Sequence, residues 1–164
     1  MMSHEAVVGT DQFTPLPVLI QDHARRHPDK TAVTDATAQL TYAELDRRMD
    51  QVAASLQRDG VTHGQTVAFV SSLSMEQFVL FFGALRAGCV TALIQPSASP
   101  DQIAGMIADA NAAITFVDDA TDRALIGHAL SGPRIRAEDV STWLVPEGAR
   151  PAAVEIRPED GFNI

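Results

Sequence analysis

The chain has a single cysteine, a single lysine, one tryptophan and one tyrosine among its 164 residues. The cysteine, Cys89, sits in the apolar run CVTALI; alone it excludes an internal disulfide and a cysteine-based zinc cage, and it fits a reducing compartment, the cytoplasm. The lysine, Lys30, stands in no phosphate-loop pattern and in no apolar pocket-like run, so a Walker A loop, a Schiff-base centre and lysine-assisted phosphoryl transfer have no residue to use. Positive charge is scarce: 12 Lys and Arg against 21 Asp and Glu give a net charge of −9, which leaves no general attraction for nucleic acid or anionic lipid. The longest apolar run, Phe78 to Leu85, ends at Arg86, far short of the roughly 20 residues that span a bilayer, so no membrane span is expected. The start, MMSHEAVVGTDQF, has neither a basic opening nor a sustained apolar stretch; residues 1–14 read as a flexible leader, not a secretory signal or transit peptide. No internal repeat is present.

What remains is a globular composition, 46% hydrophobic and 20% charged, long enough for one buried core. Leu16, Leu19, Ile20 and Ala24 recur at helical spacing until Pro28, and Thr31 to Asp35 with Gln39-Leu40 reads as a small hairpin. Thr41 with Glu44 forms a capping box, opening a helix whose face is Tyr42, Leu45, Met49, Val52, Ala53 and Leu56 and which Gly60 ends. Asp46, Arg47, Arg48 and Asp50 are assigned to its wet side. Thr66 to Val70 is a continuous β-rich run suited to a strand buried on both faces. Ser74 with Gln77 predicts a second capping box, followed by a helix from Met75 to Ala87 that is apolar almost all round. Gly88 ends that helix. Cys89 to Ile94 is the next strand, Ser99-Pro100-Asp101-Gln102 starts a further helix, and Ala113 to Val117 is a third strand. Farther on, Arg123 to Leu130 reads as helical, Arg134 to Arg136 as extended, and Asp139 to Leu144 as a short helical turn. Alternating strands and helices at these intervals predict an α/β fold, a parallel sheet flanked by helices with Rossmann-like layering over residues 15–145. Residues 146–164, with Pro146, Gly148, Pro151 and Pro158, read as a connector.

The run LTYAELDRRMDQVAASLQRDGVTHGQTVAFV, then SMEQFVLFFGALRAGCVTALIQP, then an aspartate-containing helix and ITFVDD, resembles the N-terminal region of the adenylate-forming enzymes. That superfamily includes acyl- and aryl-CoA synthetases, luciferase-like enzymes and peptide-synthetase adenylation domains. LTYAEL (Leu40 to Leu45) and LRAG followed by a strand and a proline (Leu85 to Pro96) carry the likeness, which covers about Leu16 to Asp119 and the last few residues. The resemblance implies the N-terminal subdomain of an acyl-CoA synthetase-type fold. The intact enzyme would use ATP, Mg and CoA to turn a carboxylate into an acyl-CoA through an acyl-adenylate. In relatives a segment like RPEDGFNI runs into the loop that cradles the ATP phosphates, and here the sequence ends at Ile164. The resemblance therefore implies an N-terminal portion that binds none of these cofactors by itself, has no catalytic residue, and partners the remainder of a ligase chain. Self-association through uncovered apolar surface is a further expectation. The alternative is a free-standing flavodoxin-like module for a small ligand or a partner protein.

Candidate site residues are few. Some CoA ligases carry, after the proline that matches Pro96, a basic residue approaching the CoA phosphates; here that position is Ser97, the one cofactor-path residue the resemblance assigns. Ser71, Ser72 and Ser74 follow one predicted strand, and Asp118 and Asp119 follow another. In an open parallel sheet those are ligand-side ends, where serines could dock an anion and the aspartates an Mg ion or a phosphoryl group, but helix capping and turn formation are the preferred reading of Ser74 and the aspartates. His23 and His27 are spaced i, i+4 but flank two arginines and read as a solvated face, so no metal site is expected; His4, His63 and His128 receive no role. Phe78, Phe81 and Phe82 read as core residues first and as an acyl-pocket wall second.

Overall fold

The structure, a computed structural model, describes residues 13–164; most of the leader segment assigned to 1–14, with His4, lies outside the described residues. Helix α1 (Leu16–Arg26) leads to an antiparallel pair, β1 (Thr31–Thr34) and β2 (Gln39–Thr41). Then come α2 (Tyr42–Arg58), β3 (Thr66–Val70), α3 (Met75–Arg86), β4 (Val90–Leu93), α4 (Pro100–Asp109) and β5 (Ala112–Val117). The chain continues through α5 (Asp119–Ala124), β6 (Arg134–Arg136) and the single turn α6 (Val140–Trp143). Strands β3 to β6 form one four-stranded sheet in the order β4-β3-β5-β6, every neighbouring pair parallel.

Strand β3 is buried at all five positions, and its alternation assigns the two cores. Val67 and Phe69 join Leu45, Met49, Val52, Leu56, Leu80 and Phe116 beneath α2 and α3. Ala68 and Val70 face the opposite way, onto Ile103 and Ile107 of α4 and Leu125. Both layers are the covering that a parallel sheet requires.

Helix α2 begins as expected. The Thr41 hydroxyl accepts the Glu44 N–H at 3.3 Å, and the Glu44 carboxylate accepts the Thr41 N–H at 2.8 Å. Hydrogen bonds from the Thr41 backbone, then from its hydroxyl, hold the Glu44 carboxyl below its ordinary value. A depressed folded-state pKa stabilises at neutral pH and ceases to do so as the pH falls through the folded value. Glu44→Gln should therefore flatten part of the acid-side loss of stability. Urea midpoints taken from neutral pH into the carboxylate range test this, and a slope matching the parent chain would refute it.

Three expectations are corrected. Asp50 is buried, not wet: at its level α2 meets α1 and α3, and Arg86 donates to the Asp50 and Asp46 carboxylates at 2.8 and 2.6 Å and to the Asp46 carbonyl at 2.7 Å. Arg150 reaches the other Asp50 oxygen at 3.1 Å. The helix placed at Arg123 to Leu130 instead spans Asp119–Ala124, because Asp118 caps it by accepting the Thr121 N–H at 2.8 Å, and Gly127, at φ +87°, turns the chain away soon after its end. The box at Ser74 is half formed: Ser74 accepts the Gln77 N–H at 3.1 Å, but the Gln77 side chain does not return to Ser74.

Residues 146–164 carry no helix or strand, yet they are fastened along α2 and the sheet edge. Gln57 exchanges two hydrogen bonds with Ala152, Arg47 pairs with Glu147, and His63 bonds Asp160 at 2.9 Å. Gly88 makes this packing possible: it turns at φ +73°, and a Cβ there would lie 2.5 Å from the His63 ring and 2.7 Å from Val154. The Thr91 N–H donates to the Phe162 carbonyl and the Ile164 N–H to the Thr91 carbonyl, a parallel bridge between Asn163 and the free edge of β4. Among the described residues no helix is long and apolar enough to cross a membrane.

Candidate functional site

All four parallel strands point their carboxyl ends to one side of the sheet, and there two grooves flank the start of α3. The larger, about 460 Å³, lies between the ends of β3 and β4 and the first turns of α3, walled by Phe69, Phe78, Phe81 and Leu93. The smaller, about 200 Å³, lies between β3, β5 and α3 and includes Glu76, Asp118 and Val140. Ser71, Ser72 and Gln77 line both. Parallel strands joined by right-handed crossovers expose backbone amides and helix starts on this side, the edge where open α/β sheets take ligands.

The predicted site residues divide accordingly. Ser71 and Ser72 are at the grooves, whereas Ser74 and Asp118 both border the smaller groove and cap α3 and α5. Asp119 is exposed in the first turn of α5. Ser97 is exposed in the turn between β4 and α4 and lines neither groove. Phe78, Phe81 and Phe82 are half-buried against the core, and two of them double as groove wall. His23 stacks on Tyr42 at 5.0 Å between ring centres, with His27 6.3 Å away, and among the described residues no group of three potential metal ligands converges. His63 and His128 pair with Asp160 and Asp101 at the surface.

Electrostatically this edge is neutral to acidic. No Lys or Arg lines either groove, and the wall of the smaller one desolvates the Glu76 carboxyl enough to raise its pKa above the ordinary value, with Arg48 opposing the rise. A triphosphate needs cations and a cradle of backbone amides, and neither of these two grooves supplies a cation. Cys89 is buried, and burial pushes its thiol up to about 12. It lines an apolar cavity of about 360 Å³ between α1 and residues 156–162, beside Leu85 and Gly88, the residues that precede β4.

The model of the AMP-binding enzymes matches residues 20–160. The chain belongs to the AMP-binding enzyme family. Among similar proteins of this family, a nonribosomal peptide synthetase-like enzyme, fsqF, of Aspergillus fumigatus is 34% identical over 152 residues, which cover 93% of this chain and 10% of that protein. The phosphinothricin tripeptide synthetase PhsC of Streptomyces viridochromogenes is 32% identical over 142 residues, 87% of this chain and 12% of its own length. The chain thus spans about a tenth of these relatives. Among solved structures, the N-terminal domain of FACL13 from Mycobacterium tuberculosis superposes with a TM-score of 0.85 at 19% identity, over 93% of this chain and 41% of that one. VinN in complex with L-aspartate gives 0.79 at 26% identity, over 90% and 42%. The AMP-binding family assignment and the fold of an acyl-CoA synthetase N-terminal domain agree with the resemblance read from LTYAEL and LRAG.

Two residues of this family member escaped the sequence reading. Arg86, the arginine of LRAG, had one available signal, a lone cation closing an otherwise apolar helix. Gln77 reads from its spacing as completing a capping box, whereas its side chain lies at the two grooves.

Proposed function

We propose that this chain is the N-terminal portion of an AMP-forming enzyme that activates a carboxylic acid with Mg-ATP and passes the acyl group to a thiol, and that on its own it is framework without adenylation activity. The observation that carries the reading is the family match over residues 20–160 together with a carboxyl edge that offers no cation to a triphosphate. ATP, Mg and CoA or an equivalent thiol would be held by a partner region of the same enzyme, the remainder of the ligase chain. The pairing of Asn163 with Thr91 supports this, since it sets the backbone running parallel along β4.

For the acceptor, an acyl- or aryl-CoA ligase is one form of the proposal, with Ser97 offering a hydroxyl near the CoA path. A second form, a peptide-synthetase type of adenylation unit, is favoured by the curated relatives and by the β4–α4 turn. There Ser97, Ser99 and Asp101 supply no positive charge for the phosphates of free CoA.

Carboxylate-dependent exchange between ATP and pyrophosphate tests the proposal. The 164-residue chain is expected to show none, and the complete reading frame of its gene is expected to show it. Exchange by the short chain, or its absence from the complete product across a panel of amino, aryl and aliphatic acids, would overturn the reading. The same proposal expects the short chain to self-associate, since Leu93, Phe162 and Ile164 are exposed around the β4 edge; a strict monomer at high concentration counts against it.

A further inference from the structure

The apolar cavity of about 360 Å³ has two walls of unequal strength. One is α1, anchored by the buried Pro17 and Ile20 and by the Arg86 guanidinium, which donates to the Pro17 carbonyl at 3.3 Å. The other belongs to the stretch 153–161, where Val154, Ile156 and Asp160 are half-buried and every other residue is exposed. The chain is fixed on either side of this stretch. Before it, Gln57 donates to the Ala152 carbonyl at 3.0 Å and accepts the Ala152 N–H at 2.8 Å. After it, the Thr91 N–H and hydroxyl both donate to the Phe162 carbonyl at 3.0 Å, and Phe162 meets Phe81 edge to face at 6.0 Å. Between these two points, the hydrogen bond that joins the stretch to the rest of the described residues is that of His63 Nε2 with Asp160 Oδ2, at 2.9 Å. The other bonds of Asp160 are internal. Its carboxylate accepts the Arg157 N–H at 2.8 Å and its N–H donates to the Arg157 carbonyl at 3.1 Å, so residues 157–160 are a turn that holds its own shape.

We infer that residues 153–161 are a flap that swings about Ala152 and Phe162 to open the cavity, and that the His63–Asp160 bond is its latch. A segment with no fully buried side chain, tied between two backbone anchors by one partly exposed pair, opens at a far lower free energy than the core it covers. Opening breaks the latch and lifts Val154 and Ile156, and Val154 has a close seat only because Gly88 lacks a side chain: a Cβ there would lie 2.7 Å from it. Behind the flap, the floor of the cavity includes Cys89, which is 2% exposed and is the one cysteine of the chain. Opening therefore turns a shielded thiol into a reachable one. The flap lies away from the carboxyl-edge grooves and does not depend on whether a longer protein adenylates a carboxylate.

Labelling of Cys89 by N-ethylmaleimide reads the motion. It is followed by intact mass spectrometry on the 164-residue chain, at reagent concentrations where the rate is proportional to concentration and so reports the open population. At low urea the rate should hardly rise, because flap opening exposes little surface, and it should climb steeply only where the whole domain unfolds. His63→Leu keeps bulk against Gly88 but deletes the bond, and Asp160→Ala deletes it from the other side. Each should speed labelling about two- to fivefold, the range available to a partly exposed pair. Adding His63→Leu to Asp160→Ala should bring no further gain, because both remove the same latch. A labelling rate that follows global unfolding from zero urea upward, single variants that label no faster than the parent chain, or a double variant whose effect is the product of the two singles would each overturn the inference. These failures leave the ATP exchange assay of the complete protein untouched, so the two readings fail separately.

Discussion

Arg86→Ala should cost the chain about 3–5 kcal/mol, a large part of the roughly 5–15 kcal/mol that holds a domain of this size together. The guanidinium side chain is 9% exposed, as is that of Asp50, and it ties three helices at once: it bonds both Asp46 and Asp50 on α2 and reaches the Pro17 carbonyl of α1 at 3.3 Å. Removing it leaves the Asp50 carboxylate buried with only Arg150, whose side chain is 76% exposed, for company. A stranded buried charge is destabilising even where the intact pair adds little net energy, so the effect belongs to the broken pair and not to the count of salt bridges. Arg86→Lys should recover only a minor part, because an ammonium cannot match the fork that meets two carboxylates and two carbonyls together. Urea unfolding followed by circular dichroism checks both variants. A loss below about 1 kcal/mol for Arg86→Ala would show that the network is solvated in solution and that the proposed role of the LRAG arginine is wrong.

The second large effect is at Gly83, in the middle of α3. A Cβ built there would stand 2.3 Å from the Val52 Cβ and 2.5 Å from its Cγ1, and the Val52 Cβ is fixed to the backbone of α2. No side-chain rotation moves that Cβ aside, so Gly83→Ala must push α2 and α3 apart, at an expected cost of about 1–3 kcal/mol despite the better helix propensity of alanine. The Val52→Gly background, which removes the Cβ itself, should absorb most of the clash. The double variant is then expected to be more stable than the two single losses predict, by an amount large enough to measure as a coupling energy. Simple additivity in a thermal or urea series would refute the close approach of the two helices.

Legibility along the chain followed the range of the forces involved. The α2 start was readable because a threonine and a glutamate three residues apart interact locally. β3 was readable because five apolar positions in a row suit only a strand covered on both faces. The Arg123 to Leu130 expectation failed locally too, where the Asp118 cap started the helix four residues earlier. Asp50 failed for a different reason: a charged residue beside Arg47 and Arg48 looks solvated until another helix brings Arg86 against it, and no periodicity within α2 encodes that partner. The site was legible only as a side of the sheet. Ser71, Ser72 and Asp118 were placed at strand ends by order and spacing, whereas the groove walls and the orientation of Gln77 depend on how α3 lies across β3 and β4.

By itself the amino-acid order determined most of the elements, the parallel α/β class and the family likeness, because these follow from local pattern and composition. Tertiary packing alone decided which charges are buried and how residues 146–164 are fastened. Those outcomes depend on contacts between residues tens of positions apart, whose distances and desolvation exist only after the helices have closed over the sheet.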